Sequence, residues 1–224
     1  LTTVIITHLH IIHSAGSSLF SQDFPNAKFF IHPRSIPHLV DPSILLHQTS
    51  QFHSFNFGPD IQNKVTSIDK SRIVSATDGM KITFSGGGSL KIIHTPGHTM
   101  SHISIFEPET RTMFTGDSFG TRYRHIDPKA VFVSTPSSFN PQLMKKSINK
   151  MLDEDPVHLA LPHYGIYNDI KSHTAKCMNW LDDMEKIAKK ARNIKQSVFD
   201  KFKKIYGEKL SDCWDSLKMD VLTN

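Results

Sequence analysis

Four apolar segments of this chain each run into a residue that can bind a metal ion. Apolar, β-branched segments predict buried strands, and the tips of rigid strands hold ligand side chains in fixed positions. The four tips carry His8-Leu9-His10-Ile11-Ile12-His13, Pro96-Gly97-His98-Thr99, Thr115-Gly116-Asp117 and Leu161-Pro162-His163. A single histidine after a strand is more often a hydrogen-bonded core residue than a ligand. The joint occurrence of all four tips is much harder to explain without a metal site.

The remaining pattern mixes strands with helices. Apolar runs predict strands at 2–7, 28–31, 81–84, 90–94, 102–106, 112–114 and 157–161. The stretch 51–75 has weak periodicity and predicts a long excursion. Helices are predicted after Asp41-Pro42 and after Asn140-Pro141, because each pair places an N-capping side chain before a proline in the first turn.

From Ile170 the pattern is helical to the end of the chain. One predicted stripe contains Cys177, Leu181, Met184, Ala188 and Ala191, and a second contains Val198, Phe202 and Ile205. Apolar stripes at this spacing favour core packing over cofactor contacts.

Charge and composition argue against nucleic-acid and membrane partners. The net charge is +5, but residues 171–224 carry 12 Lys and Arg against 8 Asp and Glu, so most of the excess lies on predicted helix surfaces. No apolar run approaches the ~18 residues that a membrane span needs. Two cysteines without a CxxC pair favour a reducing compartment, so we expect a cytoplasmic protein, with targeting signals upstream of residue 1 left open.

The four motifs, in this order, resemble those of the metallo-β-lactamase superfamily. The segment Thr95–Ser104, which contains Pro96-Gly97-His98-Thr99, is the most specific match, and residues 2 to about 192 look like a hydrolase branch of that family. The resemblance implies an α+β fold, a four-layer αββα sandwich with a two-metal site at the edges of its sheets.

The resemblance also implies a role for each motif residue. His8, His10 and His98 would hold the first metal, His13 and His163 the second, and Asp117 would bridge both. Asp117 and His163 are also the candidate catalytic residues. Three imidazoles with one open position suit zinc, whereas iron and manganese also accept a mixed set of histidine and carboxylate ligands. His102 is expected to lie outside the ligand set.

One position departs from the family pattern. The family has an aspartate directly before the third histidine of its first motif, and this chain has Ile12 there. Isoleucine can neither ligate a metal nor accept a proton. We therefore expect one tightly held metal and a weak second site.

The beginning of the chain is the second departure. The family has roughly 50 residues of sheet, several strands at typical lengths, before its first motif, and here the motif strand begins at residue 2. We expect the sequence to be a fragment, or a protein trimmed at its N-terminus. Residues 1–170 are then an incomplete metallo-β-lactamase-like domain, and residues 171–224 are helices packed on the same domain.

Three functions remain open. The first is a hydrolase that uses a metal-bound hydroxide on an ester, thioester or lactone of a small molecule. The second is a degenerate, non-catalytic remnant that still binds a metal, which Ile12 favours. The third is a mono-iron oxygenase, because relatives of this fold use non-haem iron. The oligomeric state is not readable from the sequence.

Overall fold

The computed structural model describes residues 1–50, 64–122, 131–134, 136, 138–163, 165–190, 196, 197, 200 and 204. The helices in these ranges are α1 (Ile11–Ser14), α2 (Gly16–Asp23), α3 (Ile36–Val40), α4 (Ser43–Ser50), α5 (Pro141–Leu152) and α6 (Ile170–Lys190). The strands are β1 (Thr3–Ile5), β2 (Lys28–Ile31), β3 (Ile73–Ser75), β4 (Lys81–Thr83), β5 (Ser89–His94), β6 (Ile103–Glu107), β7 (Thr112–Phe114), β8 (His158–Leu161) and β9 (Gly165–Tyr167).

The strands within the described ranges form two sheets. The small sheet has the order β1-β2-β3, and its strands are all parallel. The large sheet has the order β4-β5-β6-β7-β8-β9, with β7 parallel to β8 and the other neighbours antiparallel. Parallel neighbours end at the same edge of a sheet. The segments that follow β7 and β8, which contain Asp117 and His163, therefore leave the sheet side by side.

Three apolar clusters hold the layers together. Between the two sheets lie Ile92, Ile103 and Ile105 of the large sheet, with Phe30 of the small sheet packed against them. The outer face of the small sheet packs on the residues around α3 in a cluster of Ile6, Ala27, Phe29, Ile31, Leu39 and Ile68. The outer face of the large sheet packs on α5 and α6 in a third cluster that includes Met113, Met144, Ile148, Leu159 and Leu181. The order is helix, sheet, sheet, helix, the predicted αββα arrangement.

Local capping explains where two helices begin. The Asn140 side chain accepts a hydrogen bond from the Leu143 N–H at 3.0 Å, and Pro141 occupies the first turn of α5, where no N–H is needed. At the start of α4, the Ser43 N–H donates to Asp41 Oδ1 at 3.0 Å. Both helix starts agree with the prediction from sequence.

The segment 51–75 contains a strand that its weak periodicity does not predict. The prediction of an excursion up to residue 75 is wrong at its end, because Ile73–Ser75 forms β3 beside β2. Three residues are too few to show a period, and β3 is specified by its pairing with β2. Residues 51–63 lie outside the described residues.

The stripe predicted for α6 is buried at its first three positions. Cys177, Leu181 and Met184 are buried in the cluster with α5, but Ala188 is exposed, contrary to the prediction, and Ile187 packs against the cluster instead. A methyl group contributes less to burial than a sec-butyl group, so the larger side chain takes the inward position. Residues 191–195 and 205–224 lie outside the described ranges. Among the helices that the structure describes, none combines the length and apolar character that crossing a membrane requires.

Candidate metal centre

The first motif leaves β1 as extended chain and then turns into α1. His10, the residue before α1, has φ −59° and ψ 135°, so the backbone is still extended there and places His8 and His10 on the same side. The His13 N–H donates to the His10 carbonyl at 2.8 Å, so α1 begins tightly against His10. One turn of helix then brings His13 back toward the same side as His8.

A close approach between the second motif and α5 positions His98. Gly97 has φ +140°, and a Cβ built there would lie 2.4 Å from the Cα and the backbone nitrogen of Met144. The Asn140 N–H donates to the Gly97 carbonyl at 2.7 Å, and Ser147 Oγ donates to the Pro96 carbonyl at 2.7 Å. Only glycine fits this contact, and His98 is completely buried as a result.

Asp117 lies in a short 3-10 turn, Gly116–Phe119, that follows β7. Its backbone N–H donates to His102 Nε2 at 3.0 Å. Gly116 has φ +49°, and a Cβ there would lie 2.3 Å from the same ring nitrogen. The glycine of this motif therefore lets the turn approach His102. His163 follows β8 at the same edge of the sheet, beside Asp117.

The structure brings all six predicted residues together in two groups. His8, His10, His98 and Asp117 form the first cluster, and His13, Asp117 and His163 form the second. Within each cluster the potential ligand atoms lie within 4.8 Å of one another. The first cluster is largely buried, whereas the His163 side chain of the second is 33% exposed.

The potential ligand atoms of the first cluster lie close enough to share one ion. His10 Nδ1 lies 3.0 Å from both His8 Nε2 and His98 Nε2. Asp117 Oδ2 lies 3.3 Å from His98 Nε2 and 3.6 Å from His8 Nε2. Separations of 3.0–3.6 Å suit ligand atoms that share one ion with bonds of about 2.0–2.1 Å. The residues present therefore fit a single ion of the size of zinc.

The second cluster contains buried polar atoms that the protein does not satisfy. His13 Nε2 lies 3.3 Å from Asp117 Oδ2, and His163 Nε2 lies 3.8 Å from Asp117 Oδ1. Neither His13 Nε2 nor Asp117 Oδ1 has a hydrogen-bond partner in the described structure, although both are buried. Buried polar atoms without partners are costly, and a bound cation is one of the few groups that satisfies both a ring nitrogen and a carboxylate oxygen.

Burial controls the protonation of the first cluster. Burial lowers the pKa of His8 well below its usual value, lowers that of His10 to about 4, and lowers that of His98. Burial alone would raise the pKa of the Asp117 carboxyl, but His13 and His98 beside it lower that pKa well below its ordinary range. At neutral pH the imidazoles are therefore neutral and the carboxylate is charged, which are the forms that bind a metal.

Second hydrogen bonds orient two of the rings. His98 Nδ1 lies 3.4 Å from the Ser134 carbonyl, to which it can only donate, so the lone pair of His98 is on Nε2 in that arrangement. His8 Nδ1 lies 3.1 Å from Thr7 Oγ1 and can donate to it in the same way. Sequence reasoning did not identify Thr7 or Ser134. A hydroxyl next to the first histidine is a weak signal, and a backbone carbonyl leaves none.

Most of the other histidines lie apart from these clusters. His94 Nε2 donates to the Ala76 carbonyl at 2.7 Å, and His32 Nδ1 accepts from the Arg34 N–H at 3.1 Å, so both are structural. His47 is exposed and His158 half-buried, while His53 and His125 lie outside the described residues. From the sequence we expect the excursion 51–75 and the segment 122–136 to border a substrate pocket, and large parts of both lie outside the described residues.

Ile12 precedes His13 on α1 and is 48% exposed. Its side chain offers no ligand atom. The second cluster therefore depends on two imidazoles and the shared Asp117 carboxylate, as the sequence predicts.

A family model described as the metallo-beta-lactamase superfamily matches residues 1–187. The chain is 24% identical over 99 residues to the metallo-beta-lactamase fold-containing protein ST1585 of Sulfurisphaera tokodaii, a match covering 44% of this chain and 35% of ST1585. It is 33% identical over 79 residues to a hydroxyacylglutathione hydrolase of Nitrosococcus oceani, covering 33% of this chain and 28% of that protein. These matches span about a third of each relative.

Solved structures extend the likeness over most of the chain. The crystal structure of ST1585 aligns with a TM-score of 0.63 at 20% identity, covering 82% of this chain and 68% of that one. The chemotaxis sensor ODP, solved as a peroxy diiron species, aligns with a TM-score of 0.54 at 19% identity, covering 81% of this chain and 69% of that one. At such identities these likenesses concern the fold alone.

Proposed function

The chain belongs to the metallo-beta-lactamase superfamily, and we propose that it is a metal-dependent hydrolase of an ester, thioester or lactone. The observation that carries this proposal is the first cluster, in which three imidazoles and a carboxylate converge. A family member with this donor set has the ligands for metal-assisted hydrolysis.

We assign the ligands residue by residue. His8, His10, His98 and Asp117 would hold the first metal, and His13, His163 and Asp117 the second. Asp117 would bridge the two, because its Oδ2 faces three of the histidines while its Oδ1 faces His163. Zinc is our first choice for three imidazoles with a carboxylate. Iron and manganese remain alternatives, since a solved neighbour is a di-iron protein.

A metal at this site would lower the pKa of a water ligand to ~7 and polarise the carbonyl of a substrate. The side chains of the chain would position that water. Asp117 supplies the negative charge of the site, and its Oδ2 faces His8, His13 and His98. His163 Nε2 lies 3.8 Å from Asp117 Oδ1 on a side chain that is 33% exposed, so His163 lies where a substrate would reach the site from solvent. We therefore propose Asp117 and His163 as the catalytic residues.

Among the three bonds, a thioester is favoured. One relative is named a hydroxyacylglutathione hydrolase, and an acylated thiol is a thioester. The match covers 33% of this chain and 28% of that relative.

The test uses the purified chain, stripped of metal by a chelator and reloaded with zinc, iron or manganese. Activated ester, thioester, lactone and phosphodiester substrates are compared with the His98→Ala variant in parallel. We expect metal-dependent hydrolysis of at least one acyl substrate, absent from the variant. Equal rates for the two proteins on every substrate, with metal shown to be bound to the wild type, would overturn the hydrolase proposal.

Two other functions have support from single observations. Ile12, in place of a ligating aspartate, favours a non-catalytic remnant that binds one metal. The di-iron neighbour favours iron chemistry, including a mono-iron oxygenase. The remnant predicts bound metal without turnover on any substrate. The oxygenase predicts oxygen consumption by the iron-loaded chain and none by the zinc-loaded chain.

We also infer that residues 171–224 belong to the same domain as residues 1–170. In the described part of this segment, Cys177, Leu181 and Met184 share one buried cluster with α5 and the large sheet. A domain packed in this way uses its lysines as a solvated outer face, so we propose small-molecule substrates rather than nucleic acid. Duplex binding that weakens steeply with salt would contradict this.

A further inference from the structure

A series of hydrogen bonds joins the two ends of the turn that carries Asp117. The Asp117 N–H donates to His102 Nε2 at 3.0 Å, and His102 Nδ1 lies 2.8 Å from Thr95 Oγ1. Thr95 Oγ1 lies 2.8 Å from Ser104 Oγ, which donates to the Thr115 carbonyl at 2.9 Å. His102, Thr95, Ser104 and Thr115 are completely buried. The series therefore leaves the turn at residue 117 and returns to it at residue 115.

The two ends determine the direction of every bond in this series. A backbone N–H can only donate and a carbonyl oxygen can only accept. His102 Nε2 must therefore carry the lone pair and Nδ1 the proton, which Nδ1 donates to Thr95. Thr95 then donates to Ser104, and Ser104 to the Thr115 carbonyl. Each hydroxyl both accepts and donates, so this buried network is satisfied from end to end.

We propose that His102 is a positioning residue that sets the orientation of the Asp117 carboxylate between the two clusters. The inference deepens the proposed function and rests on it, because it takes Asp117 as a metal ligand. His102 itself would not bind the metal, since the Asp117 N–H occupies Nε2 and the proton occupies Nδ1. Its ring also lies behind His8, with the ring centroids 4.9 Å apart.

The turn needs such anchors because it is short. The 3-10 segment Gly116–Phe119 has four residues, and its N-cap, Thr115, makes no side-chain capping bond. Runs of 3-10 helix this short have little stability of their own. Besides His102, the turn is held by Ser118 Oγ, which donates to the Thr95 carbonyl at 2.8 Å. The turn is therefore held by His102 and by the Thr95 carbonyl, and these two residues are hydrogen-bonded to each other.

Gly116 and His102 depend on each other. A Cβ on Gly116 would lie 2.3 Å from His102 Nε2 and 2.5 Å from Cε1. The glycine of the third motif is thus required by the ring that it faces, in addition to its φ of +49°. This accounts for a glycine directly before the ligand without reference to the metal.

The first test measures metal affinity in the full chain. His102→Phe keeps a ring of similar size and removes both nitrogens, which leaves the Asp117 N–H without its acceptor. Replacing a group that orients a metal ligand typically weakens metal binding by about 10–100-fold. We expect a loss of this size for Zn²⁺, measured by competition with a chelator, and an altered absorption spectrum with Co²⁺.

A matched control separates positioning from stability. Leu181→Ala removes a completely buried side chain in α6, away from both clusters. We expect it to lower the unfolding temperature and leave the Zn²⁺ affinity of the folded protein unchanged. Equal Zn²⁺ affinity for wild type and His102→Phe would overturn the positioning role, as would an equal loss of affinity in Leu181→Ala.

Two further measurements keep the inference testable if His102→Phe does not fold. Thr95→Val removes the acceptor of the His102 Nδ1 proton and keeps the shape, so it should weaken Zn²⁺ binding in the same direction by a smaller factor. In the metal-free wild type, two-bond ¹H–¹⁵N correlations should place the His102 proton on Nδ1. A proton on Nε2 would contradict the series of bonds.

The outcomes distinguish this inference from the proposed function. A wild-type chain that binds none of Zn²⁺, Co²⁺, Fe²⁺ or Mn²⁺ overturns both. A wild type that binds and hydrolyses, beside a His102→Phe variant that does so equally well, overturns only the role of His102.

Discussion

The chain has two sets of residues that contain buried histidines, and the sets differ in what the histidine ring nitrogens face. The first cluster of the metal centre contains His8, His10, His98 and Asp117. The second set, which we call the arginine cluster, contains Arg122, Tyr167, Asp169 and His173. In it the Arg122 Nε donates to His173 Nδ1 at 3.0 Å, and His173 Nε2 donates to the Phe119 carbonyl at 2.8 Å. An Arg122 terminal nitrogen lies 2.7 Å from both Asp169 oxygens, and the guanidinium lies 4.1 Å from the centre of the Tyr167 ring.

Burial does not distinguish the two sets. Burial lowers the pKa of His173 to about 4, as it does the pKa of His10. Both nitrogens of His173 have protein partners, so the arginine cluster is complete as it stands. In the metal centre, three ring nitrogens face one another, with His10 Nδ1 3.0 Å from both His8 Nε2 and His98 Nε2. A buried histidine indicates a ligand site only where ring nitrogens converge in this way.

The strongest test of this contrast is His98→Ala. It removes one of the three imidazoles of the first cluster, so we expect loss of tight metal binding and of hydrolysis. The loss should exceed the about 10–100-fold typical of groups that only orient a ligand. Because the variant also relieves the crowding of ring nitrogens, its metal-free form should unfold at the same temperature as the wild type or higher. Metal content, hydrolysis rate and thermal unfolding check these three expectations, and retained tight binding would contradict the ligand assignment.

Asp117→Asn should cost nearly as much. The amide keeps the shape of the side chain but removes the negative charge that faces His8, His98 and His13. We expect weaker metal binding at both clusters and a large loss of hydrolysis, measured by metal analysis and substrate turnover. Hydrolysis that stays within about tenfold of wild type would contradict the catalytic role of Asp117, since the loss of a catalytic group typically costs ~10²–10⁴-fold.

A gain of function is expected from Ile12→Asp. The new carboxylate would lie directly before His13 and would give the second cluster a ligand besides its two histidines and Asp117. We expect metal content to rise from about one ion per chain toward two, and the hydrolysis rate to increase by less than the losses above. Ile12→Asn is the matched control, because asparagine has a size similar to that of aspartate and carries no charge. A wild type that already holds two ions tightly after purification without added metal would refute our account of Ile12.

A substitution in the arginine cluster should lower the stability of the chain and leave the metal centre unchanged. His173→Phe leaves Arg122 with an unfilled hydrogen bond, and a lost buried bond of this kind costs about 1–3 kcal/mol of folding free energy. Metal content and Zn²⁺ affinity of the folded variant should equal those of wild type. A loss of Zn²⁺ affinity in this variant would mean that the arginine cluster supports the metal centre.

The same residue predicts a pH dependence of stability. Burial lowers the pKa of His173 to about 4 in the folded chain, against ~6.5 when unfolded, so the unfolded chain binds the proton first as the pH falls. The contribution of His173 to the free energy of unfolding is fully present above pH ~6.5. As the pH falls from there to 4, this contribution decreases by on the order of 3 kcal/mol. Denaturant unfolding across this range should show a shallower decline for His173→Phe. Parallel curves for the two proteins would contradict the shift.

Much of the fold followed from local patterns. Asn140-Pro141 predicts the start of α5, and the apolar run at 157–161 predicts β8. Both predictions succeed because a helix cap and a buried strand each consist of residues that are consecutive in the sequence. Ile73–Ser75 escaped prediction, since a three-residue strand is defined by its neighbour. Ala188 was assigned to the buried stripe of α6, but Ile187 packs there instead. Periodicity alone does not weigh side-chain size.

The predicted site shows the same limits. The six residues proposed from the four motifs do lie together, and their role as ligands stays a prediction. His102 was expected outside the ligand set because of the resemblance, but its bonds to Asp117 and Thr95 could not be foreseen. A hydrogen bond between residues 15 positions apart depends on the path of the chain between them.

The sequence by itself determined the chemistry that is available: which residues are imidazoles or carboxylates, which strand each one follows, and where a glycine permits a close turn. It also determined the loss of a carboxylate at Ile12. Only the tertiary structure decided which nitrogens meet. His98 and His102 are four residues apart, yet His98 turns Nε2 toward His10, whereas His102 turns it to the Asp117 N–H. Sheet pairing sets these positions, because it brings together strand ends that are distant in sequence.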